Sequence, residues 1–218
     1  MRTIFVFCII QFSMVANAPV KAQSSSRLLD ERVAKFAMQR VDIHVALQYL
    51  AIAYKVPIGL EMISEKEEGT EKRYFDLSLE KCSVRDILTA IVERDTRYQW
   101  KECDGVVNVF PLRKQDTFLD TKLPDFVVSN VTRKELILAI VDCPLVKEQT
   151  QKLGIALRNF VSLPAEDTQL RKFSLSLHNL AVREVLDEIL KKGDGYYWLV
   201  QIYGSRYGGP DKYFMLTL

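Results

Sequence analysis

Few side chains in this 218-residue chain stand at spacings that chemistry demands. The two histidines, His44 and His178, have no HExxH or CxxC pattern around them, and the alternation of nearby residues puts His44 in a helix and His178 after a strand. Neither therefore reads as a zinc ligand. No glycine-rich phosphate loop and no G-x-S-x-G elbow occurs. The acid pairs Asp86/Glu93 and Glu184/Asp187 fall on the polar sides of amphipathic segments, where solvation explains them. The expectation is of a protein without catalytic residues, metal or cofactor.

The remaining candidates are groups that recognise. Arg85 and Arg183 stand at equal places near two helix starts, where the helix dipole does not favour a cation. Each reads either as half of an internal ion pair or as an exposed anchor for a partner's acid. Tyr197, Tyr203, Tyr207 and Tyr213 cluster around a loop rich in glycine, Gly204 to Asp211. Aromatic residues on an adaptable loop, beside a strand edge open to another strand, suit binding. The same tyrosines could instead cover a sheet. Cys82 and Cys103 fall in one unit and could pair as a disulfide, or serve as small buried apolar residues.

These groups are positioned by a duplication. Phe75–Trp100 (FDLSLEKCSVRDILTAIVERDTRYQW) recurs without a gap as Phe173–Trp198 (FSLSLHNLAVREVLDEILKKGDGYYW), a shift of 98 residues. Phe75/Phe173, Leu77/Leu175, Ser78/Ser176, Leu79/Leu177, Val84/Val182, Arg85/Arg183, Leu88/Leu186, Ile91/Ile189, Tyr98/Tyr196 and Trp100/Trp198 are identical. So long a period means two copies of a small domain, not a solenoid with units of ~20–50 residues.

Each copy has a legible element order. Phe75, Leu77 and Leu79 alternate with polar residues, as in a strand with one wet face. Ser83 and Asp86 form a capping-box pattern, and Val84, Ile87, Leu88, Ile91 and Val92 make the apolar stripe of the helix that follows. Tyr98–Trp100 and Val106–Phe110 flank an Asp104-Gly105 turn and read as a hairpin. Upstream, Phe36–Val41 leads through a cap at Asp42 into a helix over Ile43–Tyr54, with Val45, Ala46, Leu47, Leu50 and Ala53 as its apolar face, and Val56–Met62 returns as a strand. The second copy repeats this from Phe126–Val131 and a Thr132–Glu135 capping box, with an interruption at Cys143-Pro144 before Ile155–Phe160. Its hairpin is read as Tyr196–Tyr203 and Tyr213–Leu218. The fold class is α+β: two tandem small domains, each β-α-β, β-α-β plus a closing strand. The first spans 34–112 and the second 123–218, with the polar segment 113–122 as linker and Ser64–Arg73 as a solvated loop.

Residues 1–22 read as a secretory signal peptide: Arg2, an apolar run from Ile4 to Ile10, and a small-residue cleavage pattern at Val20-Lys21-Ala22. A membrane span is the alternative, but Gln11, Ser13 and Asn17 interrupt a run already short of the ~20 residues required. Cleavage removes Arg2 and Lys21 and no acid, so the formal charge of +2 becomes zero. A neutral chain without a basic block has no electrostatic grip on nucleic acid.

The pattern resembles the secretin and TonB short N-terminal domain family. It lies in VALQYLAIAYKVPIGLEM (Val45–Met62), followed by Phe75–Trp100 and VVNVF, and extends more weakly over 123–218. The resemblance implies a periplasmic interaction module whose partner is an envelope protein: a secretin, a TonB-dependent receptor or a regulator's periplasmic domain. The chain reaches Leu218 without a barrel or secretin segment, which points to a free-standing adaptor, with self-association left open. Binding of a cell-wall glycan or small molecule is the alternative. The expected docking elements are the sheet edges and the Tyr203–Tyr213 hairpin.

Overall fold

Alternating and helical periods give way to the expected elements at nearly every position in a computed structural model, which describes residues 28–63, 73–156, 172–192, 195–203 and 212–217. The first half runs β1 (Arg32–Val41), α1 (Ile43–Tyr54), β2 (Ile58–Glu61), β3 (Phe75–Ser83), α2 (Val84–Arg94), β4 (Tyr98–Cys103) and β5 (Val106–Pro111). The second runs β6 (Lys122–Val131), α3 (Arg133–Asp142), α4 (Pro144–Lys152), β7 (Ile155–Ala156), β8 (Phe173–Ala181), α5 (Val182–Lys192), β9 (Tyr197–Tyr203) and β10 (Lys212–Thr217). The whole is a mixed α+β fold. The segment read as a signal peptide, residues 64–72 of the solvated loop, residues 157–160 of the strand read over Ile155–Phe160, and the loop 204–211 lie outside the described residues.

Local chemistry sets the helix starts. The Asp42 side chain accepts from the Val45 N–H, and capping boxes close at Ser83/Asp86 and Thr132/Glu135. Pro144, which cannot extend α3, opens α4 instead. Asp104 and Gly105, both at positive φ, make the tight turn between β4 and β5.

In each half two long strands pair as an antiparallel ribbon, β1 with β3 and β6 with β8. Both ribbons carry an irregularity at the same place, between Met38 and Val41 and between Val128 and Val131. Arg40 and Asn130 sit there at φ 48° and 56°. Their N–H groups are taken up by Asp76 Oδ1 at 2.7 Å and Ser174 Oγ at 3.0 Å. The duplication thus extends to a backbone bulge and its side-chain acceptor.

The other strands do not form one sheet per half. They join in a single six-stranded sheet, ordered β4-β5-β2-β9-β10-β7, in which β2 of the first half lies parallel to β9 of the second. Along β9, Tyr197 and Leu199 belong to the first core, whereas Trp198, Val200 and Ile202 belong to the second. In β5, likewise, Val107 and Val109 face the first core and Val106 the second. Since successive strand residues point to opposite faces, the helices of the two halves cover opposite faces of the shared sheet.

Gly59 makes that junction close. It pairs with Trp198, and a Cβ at position 59 would overlap the indole ring, which is fully buried. The segment 113–122, read as a linker, is also built in. Thr117 caps a short 3-10 turn, Phe118–Asp120, whose Phe118 and Leu119 are wholly buried in the second core.

Candidate functional site

The residues singled out in the sequence separate in the fold. Arg85 pairs with Asp30 at 3.3 Å and lies over the Trp100 ring at 5.9 Å, half exposed. Arg183 is drawn inward: its Nη2 donates to Glu61 Oε2 of the first half at 2.6 Å, with Asp120 Oδ1 at 3.6 Å. Tyr197 is buried at the junction, its ring 5.8 Å from that of His44. Burial drives its phenol well above the ordinary value. Tyr203 and Tyr213 face each other in the β9–β10 ladder; their side chains, and Tyr207 altogether, lie outside the described residues. Cys82 is buried, with its Sγ 3.9 Å from the Val33 carbonyl, and Cys103 is exposed. Both are free thiols, so the proposed Cys82–Cys103 disulfide is not formed. His178 holds Asp125 across the β6–β8 ribbon at 2.7 Å. Among the described residues no cluster of three metal-ligating side chains occurs, and no helix is long and apolar enough to cross a membrane.

Two surfaces remain with features that packing does not explain. The first is a cleft of about 530 Å³ between the β4–β5 hairpin, the 112–120 segment and α5. Its depth is set by Asp187, whose Oδ1 accepts from Trp198 Nε1 and whose Oδ2 accepts from Asn108 Nδ2, both at 2.8 Å. Burial raises the Asp187 pKa, against the pull of the Asn108 and Trp198 hydrogen bonds. Both oxygens are held by fixed donors, so this carboxylate ties the halves together. Beside it, two buried atoms have no hydrogen-bond partner among the described residues: Asn108 Oδ1 and Arg183 Nη1. Leaving such a group unsatisfied costs about 1–3 kcal/mol. Phe110, Pro111 and Leu112 supply an apolar wall.

The second surface is the outer side of α1. Its inner side, Ile43, Ala46, Leu47, Leu50 and Ala51, is buried as the periodicity requires. Val45 and Ala53, which the sequence reading placed on the buried face, are exposed. Val45, Tyr49 and Ile52 recur at i, i+4 and i+7 and are 44, 49 and 61 % exposed. Counting from the caps Asp42 and Thr132, the matching positions of α3 are Glu135, Ala139 and Asp142. The second half thus folds with polar or small residues at these places; in the first, the Tyr49 ring also packs on the buried Phe36 at 5.8 Å, while Val45 and Ile52 stand out from the core. An apolar stripe left exposed on the outer side of a packed helix is a candidate contact surface.

Comparison with protein-family models, with curated proteins and with solved structures gave no match.

Proposed function

We propose that this chain is an exported, non-catalytic adaptor of the bacterial cell envelope that binds another envelope protein through the outer face of α1. The observation that carries the reading is the stripe Val45–Tyr49–Ile52, exposed in one half and replaced by Glu135, Ala139 and Asp142 in the other. The α1 sequence, IHVALQYLAIAY, contains no Asp, Glu, Lys or Arg. Helices that lie on membrane surfaces carry lysine and arginine on their polar face, which α1 lacks. The occupant that fits is therefore a protein presenting an uncharged apolar helix or groove. The likeness of Val45–Met62 and Phe75–Trp100 to the secretin and TonB short N-terminal domain, with the signal-like residues 1–22, supports a periplasmic setting and a secretin, TonB-dependent receptor or regulator domain as partner. The shared sheet would present α1 from a rigid body, since pairing through the centre of a sheet resists hinge motion.

The test borrows the second half's residues. In V45E/Y49A/I52D the helix should keep its fold, because the same residue types sit on α3. Site-specific photocrosslinking from position 48 in native envelopes should give one predominant envelope-protein adduct with the wild type, reduced at least tenfold in the triple variant. Equal adducts from both, or an adduct only with a second copy of the chain, would overturn the adaptor reading.

A further inference from the structure

We infer that the outer edge of β4 is a docking site for one extended strand of another protein, parallel to β4 and carrying the pattern apolar-Gly-apolar-acid. The template lies inside the molecule. β4 and β9 are equivalent strands of the duplicated segment, Tyr98 and Trp100 matching Tyr196 and Trp198. The edge of β9 is covered by β2, whereas β4 ends the six-stranded sheet among the described residues. On β9, the Ile58 N–H donates to the Tyr196 carbonyl at 2.8 Å and the Met62 N–H to the Val200 carbonyl at 2.9 Å. β4 turns the same backbone outward. The Leu112 N–H reaches the Arg97 carbonyl at 2.7 Å, so Arg97, Gln99 and Lys101 bond towards β5, and Tyr98 and Trp100 face away from it.

Two side-chain positions of β2 decide its fit on β9. Gly59 lies opposite Trp198, whose indole fills the space a Cβ would need, and Glu61 takes Arg183 Nη2 at 2.6 Å. Both receiving groups recur in the first half, Trp100 for Trp198 and Arg85 for Arg183. The Arg85 guanidinium stands 5.9 Å from the Trp100 ring, and its partner Asp30 is an exposed acid at 3.3 Å. An exposed pair of that kind holds little and can be exchanged for a docked carboxylate. A strand laid on β4 as β2 lies on β9 therefore needs glycine opposite Trp100 and an acid two residues further on. Main-chain bonds would give its affinity, and these alternate positions its specificity.

A second copy of this chain is the wrong occupant. The counterpart of β2 in the second half is β7, at the opposite end of the sheet, so head-to-tail pairing of copies would set β7 on β4. The sequence there, Ile155-Ala156-Leu157-Arg158, has alanine where β2 has Gly59 and arginine where it has Glu61. The methyl group would meet Trp100, and the cation would meet Arg85. The duplication has kept the receiving edge and altered the donating one, which leaves β4 to a different protein. This edge belongs to another element than α1, so the inference stands whether or not α1 is a contact surface.

The experiment titrates the purified, isotope-labelled protein with a synthetic peptide of the β2 sequence, Val56–Ile63, following the backbone and indole N–H signals of Trp100 and Trp198. Saturable shifts are expected at Trp100 and none at Trp198. The peptide with Gly59→Val should bind roughly tenfold or more weakly, since its side chain overpacks the indole. Arg85→Glu in the protein should weaken the unaltered peptide by a similar factor, and the peptide with Glu61→Lys should restore binding to that variant. Arg85 is half exposed, so its replacement spares the core. Sedimentation of the protein alone should show no growth of chains with concentration. The inference is overturned if the peptide does not saturate, if the shifts fall on Trp198 because the peptide displaces β2, or if Gly59→Val binds equally well. It is overturned too if the charge reversal at Arg85 has no effect or is not rescued, or if copies of the protein assemble head to tail.

Discussion

Gly59→Ala is expected to destabilise the protein by the upper part of roughly 1–3 kcal/mol, the range for overpacking a close-packed interior. On a chain of this size that lowers Tm by about 6–10 °C. The added methyl group has nowhere to go. Position 59 pairs with Trp198 across the parallel β2–β9 ladder, and the indole occupies the space a Cβ needs. Nor can the ring withdraw, because its Nε1–H is held by Asp187 at 2.8 Å. Glycine is ordinarily a weak choice inside a strand, so its presence here marks a close approach. The second half supports this: β7 ends the sheet, and the sequence there has Ile155-Ala156 where β2 has Ile58-Gly59. A denaturation cycle with Trp198→Leu isolates the effect. Trp198→Leu alone is costly, but adding Gly59→Ala to it should cost less than ~0.5 kcal/mol more, the scatter expected of uncoupled sites. An equal penalty in both backgrounds would mean that the glycine is needed for backbone reasons and not for the indole.

What the sequence made legible was local. Caps at Asp42, Ser83 and Thr132, the Asp104-Gly105 turn and the break at Pro144 each depend on residues a few positions apart, and each appears where read. The fusion of the two halves depends on what lies across a strand, and the duplication itself concealed it. Treating Tyr98–Cys103 and Tyr197–Tyr203 as copies hides their difference. The first reads Tyr-Gln-Trp-Lys-Glu-Cys, alternating as an edge strand does, while the second opens Tyr-Trp-Leu-Val, buried on both faces. An uninterrupted apolar run is the mark of a central strand packed on both sides, often within a parallel pairing. Residues 113–122 were polar enough to read as a tether, yet Phe118 and Leu119 were the signal that this stretch belongs to a core. The cleft was half legible. Arg183 and Asp187 stood out as charges, but their partners Glu61 and Asn108 lie 122 and 79 residues away, and no local pattern links them.

Asp187 carries the second large effect, and its sign depends on the substitution. Asp187→Ala leaves the Trp198 Nε1–H and the Asn108 Nδ2–H buried without their acceptor, which should cost roughly 2–4 kcal/mol. Asp187→Asn should instead hold or raise stability at neutral pH. Its carbonyl still accepts from Trp198, its amide donates to Asn108 once that side chain turns over, and no charge is left in the interior. The pH dependence tests whether this carboxylate is held away from water. Burial puts the folded-state pKa of Asp187 above the ordinary 3.8, so the folded protein binds this proton more tightly than the unfolded chain. The contribution of Asp187 to stability is therefore fully present below the unfolded value and is lost as pH rises through the folded one. Asp86 and Glu135 act the other way, because the Ser83 and Thr132 backbone hydrogen bonds lower their pKa values. Their contribution is present above the unfolded pKa and is lost as pH falls. Urea denaturation of wild type and Asp187→Asn between pH 3 and pH 7 should show the variant gaining on the wild type as pH rises, with the difference levelling off above the folded-state pKa. A difference that stays constant across that range would mean Asp187 titrates as it does in the unfolded chain, and that the junction of the two halves is open to water.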